Sequence, residues 1–278
     1  MTERALPDVR LLGRQVRYQN RIFWRTPVAA FFTLFFPLMF LILFNLLFEG
    51  TIDIVGRAPM TVTQFYAPSL AVFAAASATY TNLTVGTAIA RDEGILKRFR
   101  GTPLPPWIYL AGRVGSAVWI ALLAVVGMLA VGALGYDLQI RVATLPAAAV
   151  TFVVGVACFA ALGLAMAGLA GSGEAAPALA NATILPLAFI SDVFVPISDP
   201  PAALTVIADL LPLKHFVRAF QDAFGPATTG AAFRWDDLGV MALWAAVGMV
   251  VARRFFGWDP RGPGRRRQRR RTLADQAE

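Results

Sequence analysis

Charge is scarce in this chain. Only 15% of its 278 residues are charged and 57% are hydrophobic, whereas a soluble domain carries about 25% charged residues. That shortage excludes an ordinary water-soluble domain. The one cysteine, Cys158, lies inside a long apolar window; it excludes disulfides within the chain and reads as a small buried hydrophobe. The one histidine, His215, has no Cys, His or carboxylate set around it, so no metal or catalytic constellation is expected there. No apolar core followed by a small-residue cleavage site occurs in the first 25 residues, which carry six arginines; no cleavable leader is expected. Of 25 basic residues only Lys97 and Lys214 are lysine. With abundant Ala, Gly and Val, that bias fits a high-GC bacterial genome.

The missing charge leaves long uncharged windows. They run between Arg25 and Glu49 (23 residues), Arg57 and Arg91 (33), Arg113 and Asp137 (23), Arg141 and Glu174 (32), Glu174 and Asp192 (17), and Asp237 and Arg253 (15). A membrane span needs about 20 apolar residues, with a range of roughly 17–25. The expected fold class is therefore an all-α membrane protein with six transmembrane helices, the fifth and sixth being the shortest.

Membrane enzymes and proton-coupled carriers keep ionisable residues inside their spans. Here the windows hold none, and Arg113 and Asp192 lie at span edges. No HExxH motif, no intramembrane carboxylate pair and no Gly-Lys-Ser/Thr phosphate loop is present. Hence no cofactor of the chain's own is expected, and energy for uphill movement would have to come from a separate subunit.

The basic residues are unevenly distributed. Nineteen precede the first span, lie between spans two and three, or follow from Arg253 onward, and five fall in the alternate loops. The positive-inside rule places both termini in the cytoplasm. The run after Arg253 reads as a basic tail against anionic lipid, with no nucleic-acid partner expected. Three regions follow: a cytoplasmic amphipathic helix (1–26), a six-span domain (27–258) and the tail (259–278).

Arg10, Arg14, Arg17, Arg21 and Arg25 form one helical stripe, with Val9, Leu12, Val16 and Phe23 opposite. This predicts an interfacial helix with its apolar face down. In span one, Pro37 predicts a kink and Asn45 requires a hydrogen-bond partner. Span two carries the polar run "SATYTNLT", whose hydroxyls can bond to neighbouring helices or to their own carbonyls. Ser77, Thr79, Thr81 and Asn82 of that run, together with Asn181, are candidates for lining a translocation path. Gly127, Ala130, Gly155, Ala160, Gly163, Ala167 and Gly171 predict closely packed spans three and four. Span five, about 175–190, is barely long enough to cross. Between it and span six, 192–236 is apolar but broken by Asp192, Pro196, Asp199, Pro200, Pro201, Asp209 and Pro212. It reads as a broken helical hairpin dipping back into the outer leaflet.

The segment "ARDEGILKRFRGTPLPPWIYL" (90–110) stands apart from its apolar flanks. Acids open it at Asp92 and Glu93, and Lys97, Arg98 and Arg100 close it, as a helix dipole favours. Gly101 stands where a C-terminal glycine would end the helix, Thr102-Pro103 prevents continuation, and Pro105-Pro106 restarts the chain before the interfacial Trp107 and Tyr109. The charge order predicts one short helix over 92–100, presenting an apolar patch of Ile95, Leu96 and Phe99.

"RDEGILKRFRGTPLPP" resembles the loop between spans two and three in permease subunits of ABC-2 type transporters, through Asp92, Glu93, Gly94, Leu96, Phe99, Thr102, Pro103 and Leu104. Ile95 stands where that family usually has a hydroxyl residue. "VFVPIS…LPLKHFVRAF" resembles its broken hairpin, with Asp192 where a small residue is more usual. The resemblance implies a subunit of an efflux system in a bacterial plasma membrane, paired with a second permease subunit and docking a cytoplasmic ATPase that binds the ATP. It makes 92–103, including Lys97, Arg98, Arg100 and Gly101, the coupling helix. An apolar or amphipathic cargo, drug or lipid-like, is the expectation. Alternatives are a polysaccharide or glycolipid exporter permease, and a non-transport membrane scaffold or assembly protein.

Overall fold

The computed structural model describes residues 8–48, 50–52, 59–195, 201–226 and 230–259. The basic tail from residue 260, Arg57, and Pro196, Asp199 and Pro200 of the hairpin lie outside the described residues. In chain order the helices are α1 (Asp8–Trp24), α2 (Pro27–Ala30), α3 (Phe36–Leu47), α4 (Val62–Ala76), α5 (Asn82–Asp92), α6 (Ile95–Arg100), α7 (Pro106–Gly135), α8 (Leu145–Leu169), α9 (Ala176–Ile190), α10 (Ala202–Leu210), α11 (Pro212–Phe224) and α12 (Trp235–Phe255). A two-residue antiparallel pair, β1 (Thr51–Ile52) with β2 (Met60–Thr61), qualifies the all-α expectation. It lies between α3 and α4.

Four helical runs are long and apolar enough to cross a membrane: Pro27–Leu47, Pro106–Gly135, Val142–Leu169 and Trp235–Phe255. The other two expected spans have a different character. Residues 62–92 are helical throughout but pass through a π-helical turn at Ser77–Thr81, between α4 and α5. α9 has 15 residues, matching the short fifth window.

α4 sits at the centre, and each of its residues from Val62 to Ala76 is buried. A helix enclosed on all sides must satisfy its polar groups inside the protein, and α4 does. Thr61 caps it by accepting from the Gln64 N–H at 3.2 Å. Gln221 of α11 donates to the Ser69 hydroxyl at 2.6 Å, and Tyr66 donates to the Phe194 carbonyl at 3.3 Å. Thr63 donates to the Asn45 side chain, which itself donates to the Leu41 carbonyl at 2.9 Å. The partner that Asn45 requires is therefore on α4.

α8 packs along α12, and backbone approach there depends on glycine. A Cβ on Gly248 of α12 would lie 2.9 Å from the Leu162 nitrogen; where α8 instead meets the π-helical turn at Ser77–Thr81, one on Gly163 would lie 2.8 Å from the Tyr80 carbonyl oxygen. Gly127 and Gly171 have nothing within 4 Å of such a Cβ, and Ala130 is exposed. The packing role expected of the small residues thus falls on one subset. Spans three and four are the more enclosed, with 39% and 50% of their windows buried against 22% for span one. In span one a π-helical turn at Phe31–Phe35 precedes Pro37, so the irregularity lies a turn before the proline.

α1 buries a face that only partly coincides with the expected apolar one. Gln15, Gln19 and Phe23 are its buried residues, while Val9 is 80% exposed. The helix lies along the first half of α7, where a Cβ on Gly115 would sit 2.9 Å from Val16. The face at 15, 19 and 23 repeats every four residues and packs on protein; of the expected apolar face it includes Phe23.

α10 and α11 are two short helices within the stretch expected as a broken hairpin. α11 is the more deeply set, with Phe216 against Gly155 of α8 and the Thr144 hydroxyl donating to the Ala223 carbonyl at 2.6 Å. His215 places Nδ1 2.6 Å from an Asp237 carboxylate oxygen and Nε2 2.7 Å from the Asp209 carbonyl. Among the described residues no group of three or more metal-ligating side chains gathers.

Candidate coupling surface

The segment 90–110 folds differently from the single helix expected over 92–100. α5 runs on through Asp92, Glu93 caps it, and Gly94 adopts φ +72°, ψ +11°. That left-handed conformation suits glycine; it breaks the helix, so α6 begins at Ile95. The acids therefore lie at the end of one helix, not the start of the next. Gly101, expected as the left-handed terminator, has φ −86° instead. The Thr102 hydroxyl donates to the Phe99 carbonyl at 2.7 Å to close α6. Pro105 and Pro106 open α7 as expected.

The apolar side of α6 faces inward. Leu96 is fully buried with Ala90 and Tyr109, and Ile95, Phe99 and Leu104 pack on that cluster. Phe99, expected as part of a presented patch, meets the Tyr109 ring at a centroid distance of 4.7 Å. What α6 presents outward is Lys97, Arg98 and Arg100, followed by Gly101, Thr102 and Pro103, with Glu93 exposed before it. The face is a small basic surface on an apolar footing.

The sequence gives Arg91 no role beyond the end of a window and a topological count. In the fold it is among the largest fully buried side chains. Its Nη1 and Nη2 donate to the carbonyls of Ala167 and Ala170, both at 2.9 Å, at the end of α8. These are groups that a helix C-terminus leaves without helical partners, and a cation there also offsets the helix dipole. Nε pairs with Asp92 at 3.1 Å, and the other Asp92 oxygen accepts from the Gly173 N–H at 2.6 Å. The end of α5 is thereby tied to the α8–α9 turn. The available signal was an Arg-Asp pair directly closing a long uncharged window.

The candidate path residues do not converge. Thr79 is fully buried and donates back to the Ala75 carbonyl at 2.8 Å. Ser77 and Thr81 are half-buried, and Asn181 is exposed on α9. Asn82 donates to the Ala78 carbonyl at 3.2 Å and lines a chamber under α1. Thr84 donates to Tyr80 and Gly163 carbonyls at 2.7 and 3.1 Å, and the Tyr80 and Thr183 hydroxyls lie 2.6 Å apart. Thr79, Asn82 and Thr84 of the polar run thus bond to carbonyls of the protein, and Tyr80 links the π-helical turn to Thr183 of α9.

A family model described as ABC-2 type transporter matches residues 11–224. That range includes α6, the Arg91–Asp92 tie and the α10–α11 hairpin. A comparison with curated proteins found no match for the chain.

Proposed function

Because the chain belongs to the ABC-2 type transporter family, we propose that it is the permease of an exporter in a bacterial plasma membrane, worked by a cytoplasmic ATPase docked on α6. Membership implies a multi-pass membrane subunit partnered by an ATP-binding subunit. In this reading 62–92 and α9 complete six spans, both termini are cytoplasmic, and the hairpin faces outside. Two permease subunits pair, and all ATP chemistry resides on the partner.

The observation that carries the coupling role is the way α6 is mounted. Its basic face is exposed, while its apolar face holds Tyr109 of span three. Through Gly94 it follows directly from Arg91 and Asp92, which grip the α8–α9 turn. A push on Lys97, Arg98 and Arg100 during ATPase closure would move spans two and three and the α8–α9 turn together. Glu93 would add a charge contact beside the hinge.

An apolar or amphipathic cargo is supported by the recesses at the membrane-facing sides. One of about 590 Å³ is walled by aromatic rings, including Phe40, Phe44, Tyr66, Phe189 and Phe194. Another of about 460 Å³ lies between α8, α9 and α12 and is bordered by Phe159, Leu187 and Trp244. Their linings suit apolar cargo.

The test is co-purification of the chain with a P-loop ATPase encoded beside it, followed by cargo-stimulated ATP hydrolysis in proteoliposomes. Failure of the ATPase to bind the wild-type chain would overturn the reading.

A further inference from the structure

Under α1 lies a chamber of about 320 Å³, bordered by Ile22, Phe23, Leu83, Ile89, Phe99 and Arg113. Its wall is mostly apolar, but it contains a guanidinium. Arg113 Nη1 donates to the Tyr109 hydroxyl at 2.9 Å, and its charge lies 5.9 Å from the Tyr109 ring centroid. The Nη2 side lies against Gly86, where a Cβ would collide with it. Among the described residues Arg113 has no carboxylate partner; Glu93, the acid bordering the chamber, forms no ion pair with it.

A cation on an apolar wall needs an anion or water. The location favours an anion with a tail. Tyr18, Ile22 and Ile89 at the chamber are 50%, 45% and 38% exposed, so the opening is largely apolar, with Glu93 exposed at its rim. Trp24 and Trp107 are also exposed at this end and mark an interfacial belt. Arg113 lies six residues beyond Trp107 on α7, about 9 Å along the helix axis. Its guanidinium leans back a turn toward Tyr109, and so toward that belt. Arginine matches a phosphate with paired donors.

We propose that this chamber binds an anionic phospholipid of the adjoining leaflet, with Arg113 holding the phosphate and the apolar wall taking the start of an acyl chain. Gly86 leaves room for the guanidinium, and Tyr109 connects the site to Phe99 of α6. The lipid site stands on this geometry; only its assignment to the cytoplasmic leaflet rests on the topology proposed above. An occupied chamber would brace α1 against the spans that α6 is built on.

The test uses the purified full chain in zwitterionic micelles, with thermal unfolding followed during titration with short-chain phosphatidylglycerol, phosphatidylcholine or glycerol 3-phosphate. Phosphatidylglycerol should raise the midpoint, and the other two should not. Arg113→Gln should weaken the phosphatidylglycerol response about tenfold, the size expected for loss of a charged hydrogen-bonding contact. Ala29→Phe, which fills the wall while keeping the cation, should weaken it as well, and Arg254→Gln, an exposed base outside the chamber, should not. An equal response to phosphatidylcholine, or full response in Arg113→Gln, would overturn the site. The same shift with glycerol 3-phosphate would make it a soluble-anion site and overturn the lipid assignment. If Arg113→Gln does not fold, Arg113→Lys and Ala29→Phe decide through the phosphatidylglycerol retained in native mass spectrometry. Retention in Arg113→Lys with loss in Ala29→Phe supports the site; retention in both overturns it.

Discussion

Asp92 accepts a 2.6 Å hydrogen bond from the backbone N–H of Gly173, joining the end of α5 to the turn between α8 and α9. Arg91 beside it completes the tie through Ala167 and Ala170. Removing one member of a buried charged arrangement leaves the others without partners. Arg91→Ala should therefore cost about 3 kcal/mol and Asp92→Asn about 1 kcal/mol. Thermal unfolding of the detergent-solubilised chain measures both, and Arg91→Ala should also open 91–100 to trypsin. Wild-type stability in Arg91→Ala would show that the tie is not structural.

The glycines separate into two groups with opposite expected outcomes. Gly163→Ala places a Cβ against the Tyr80 backbone, which cannot step aside as a side chain would. A loss of about 1–3 kcal/mol should follow. Gly127→Ala meets nothing within 4 Å, and should be neutral or stabilising by up to about 1 kcal/mol through lower unfolded-chain entropy. Expression level and melting point of the two variants, measured side by side, check the contrast.

His215 predicts a pH dependence. Both ring nitrogens face oxygen acceptors, Asp237 and the Asp209 carbonyl, an arrangement that suits the doubly protonated ring. The Asp237 hydrogen bond, despite opposing burial, raises the His215 pKa above its ordinary value; Arg218 opposes it and Asp209 adds support. A raised folded-state pKa gives stability that is fully present below the unfolded value, about 6.5, and lost as pH rises through the folded value. Melting points should fall as pH rises across that upper window, and the His215 part of the slope should vanish in His215→Gln. An unchanged slope in that variant would remove His215 as its source.

Much of the fold was legible because lipid imposes a coarse pattern. Uncharged windows located the apolar helices, Asn45 announced a missing partner, and the proline-broken stretch after Asp192 gave two short helices where it is described. What was missed depends on tertiary surroundings. Charge order alone put Asp92 and Glu93 at a helix start, but Gly94 in a left-handed conformation moved that start to Ile95. Phe99 was expected to face a partner because it is apolar beside a charged surface; it is half-buried, with one side on the Tyr109 ring of the next helix, a contact that no sequence pattern announces. Arg91 looked like a topology marker, since no sequence pattern says that two α8 carbonyls point at it. The enclosure of α4 had a faint signature in its neighbouring hydroxyls, whereas the π-helical turns had none.

The mounting of α6 leads to the most discriminating prediction. Its outward charges and inward apolar residues should fail in different ways. Leu96→Ala empties a fully buried position and should cost about 2 kcal/mol or more, so its defect appears as lost protein. Phe99→Ala loses the Tyr109 contact and should loosen α6 by about 1 kcal/mol. Gly94→Ala forces a side chain into φ +72°, at a cost of about 1–2 kcal/mol, and should displace α6 from its hinge. Lys97→Glu combined with Arg98→Glu changes only exposed groups. That double variant should insert and melt like the wild type, yet lose ATPase docking by tenfold or more if rim charges govern encounter. Co-purification yield and ATPase activity in proteoliposomes are the readouts. Undiminished docking by a normally folded double variant would move the coupling contact off this face of α6.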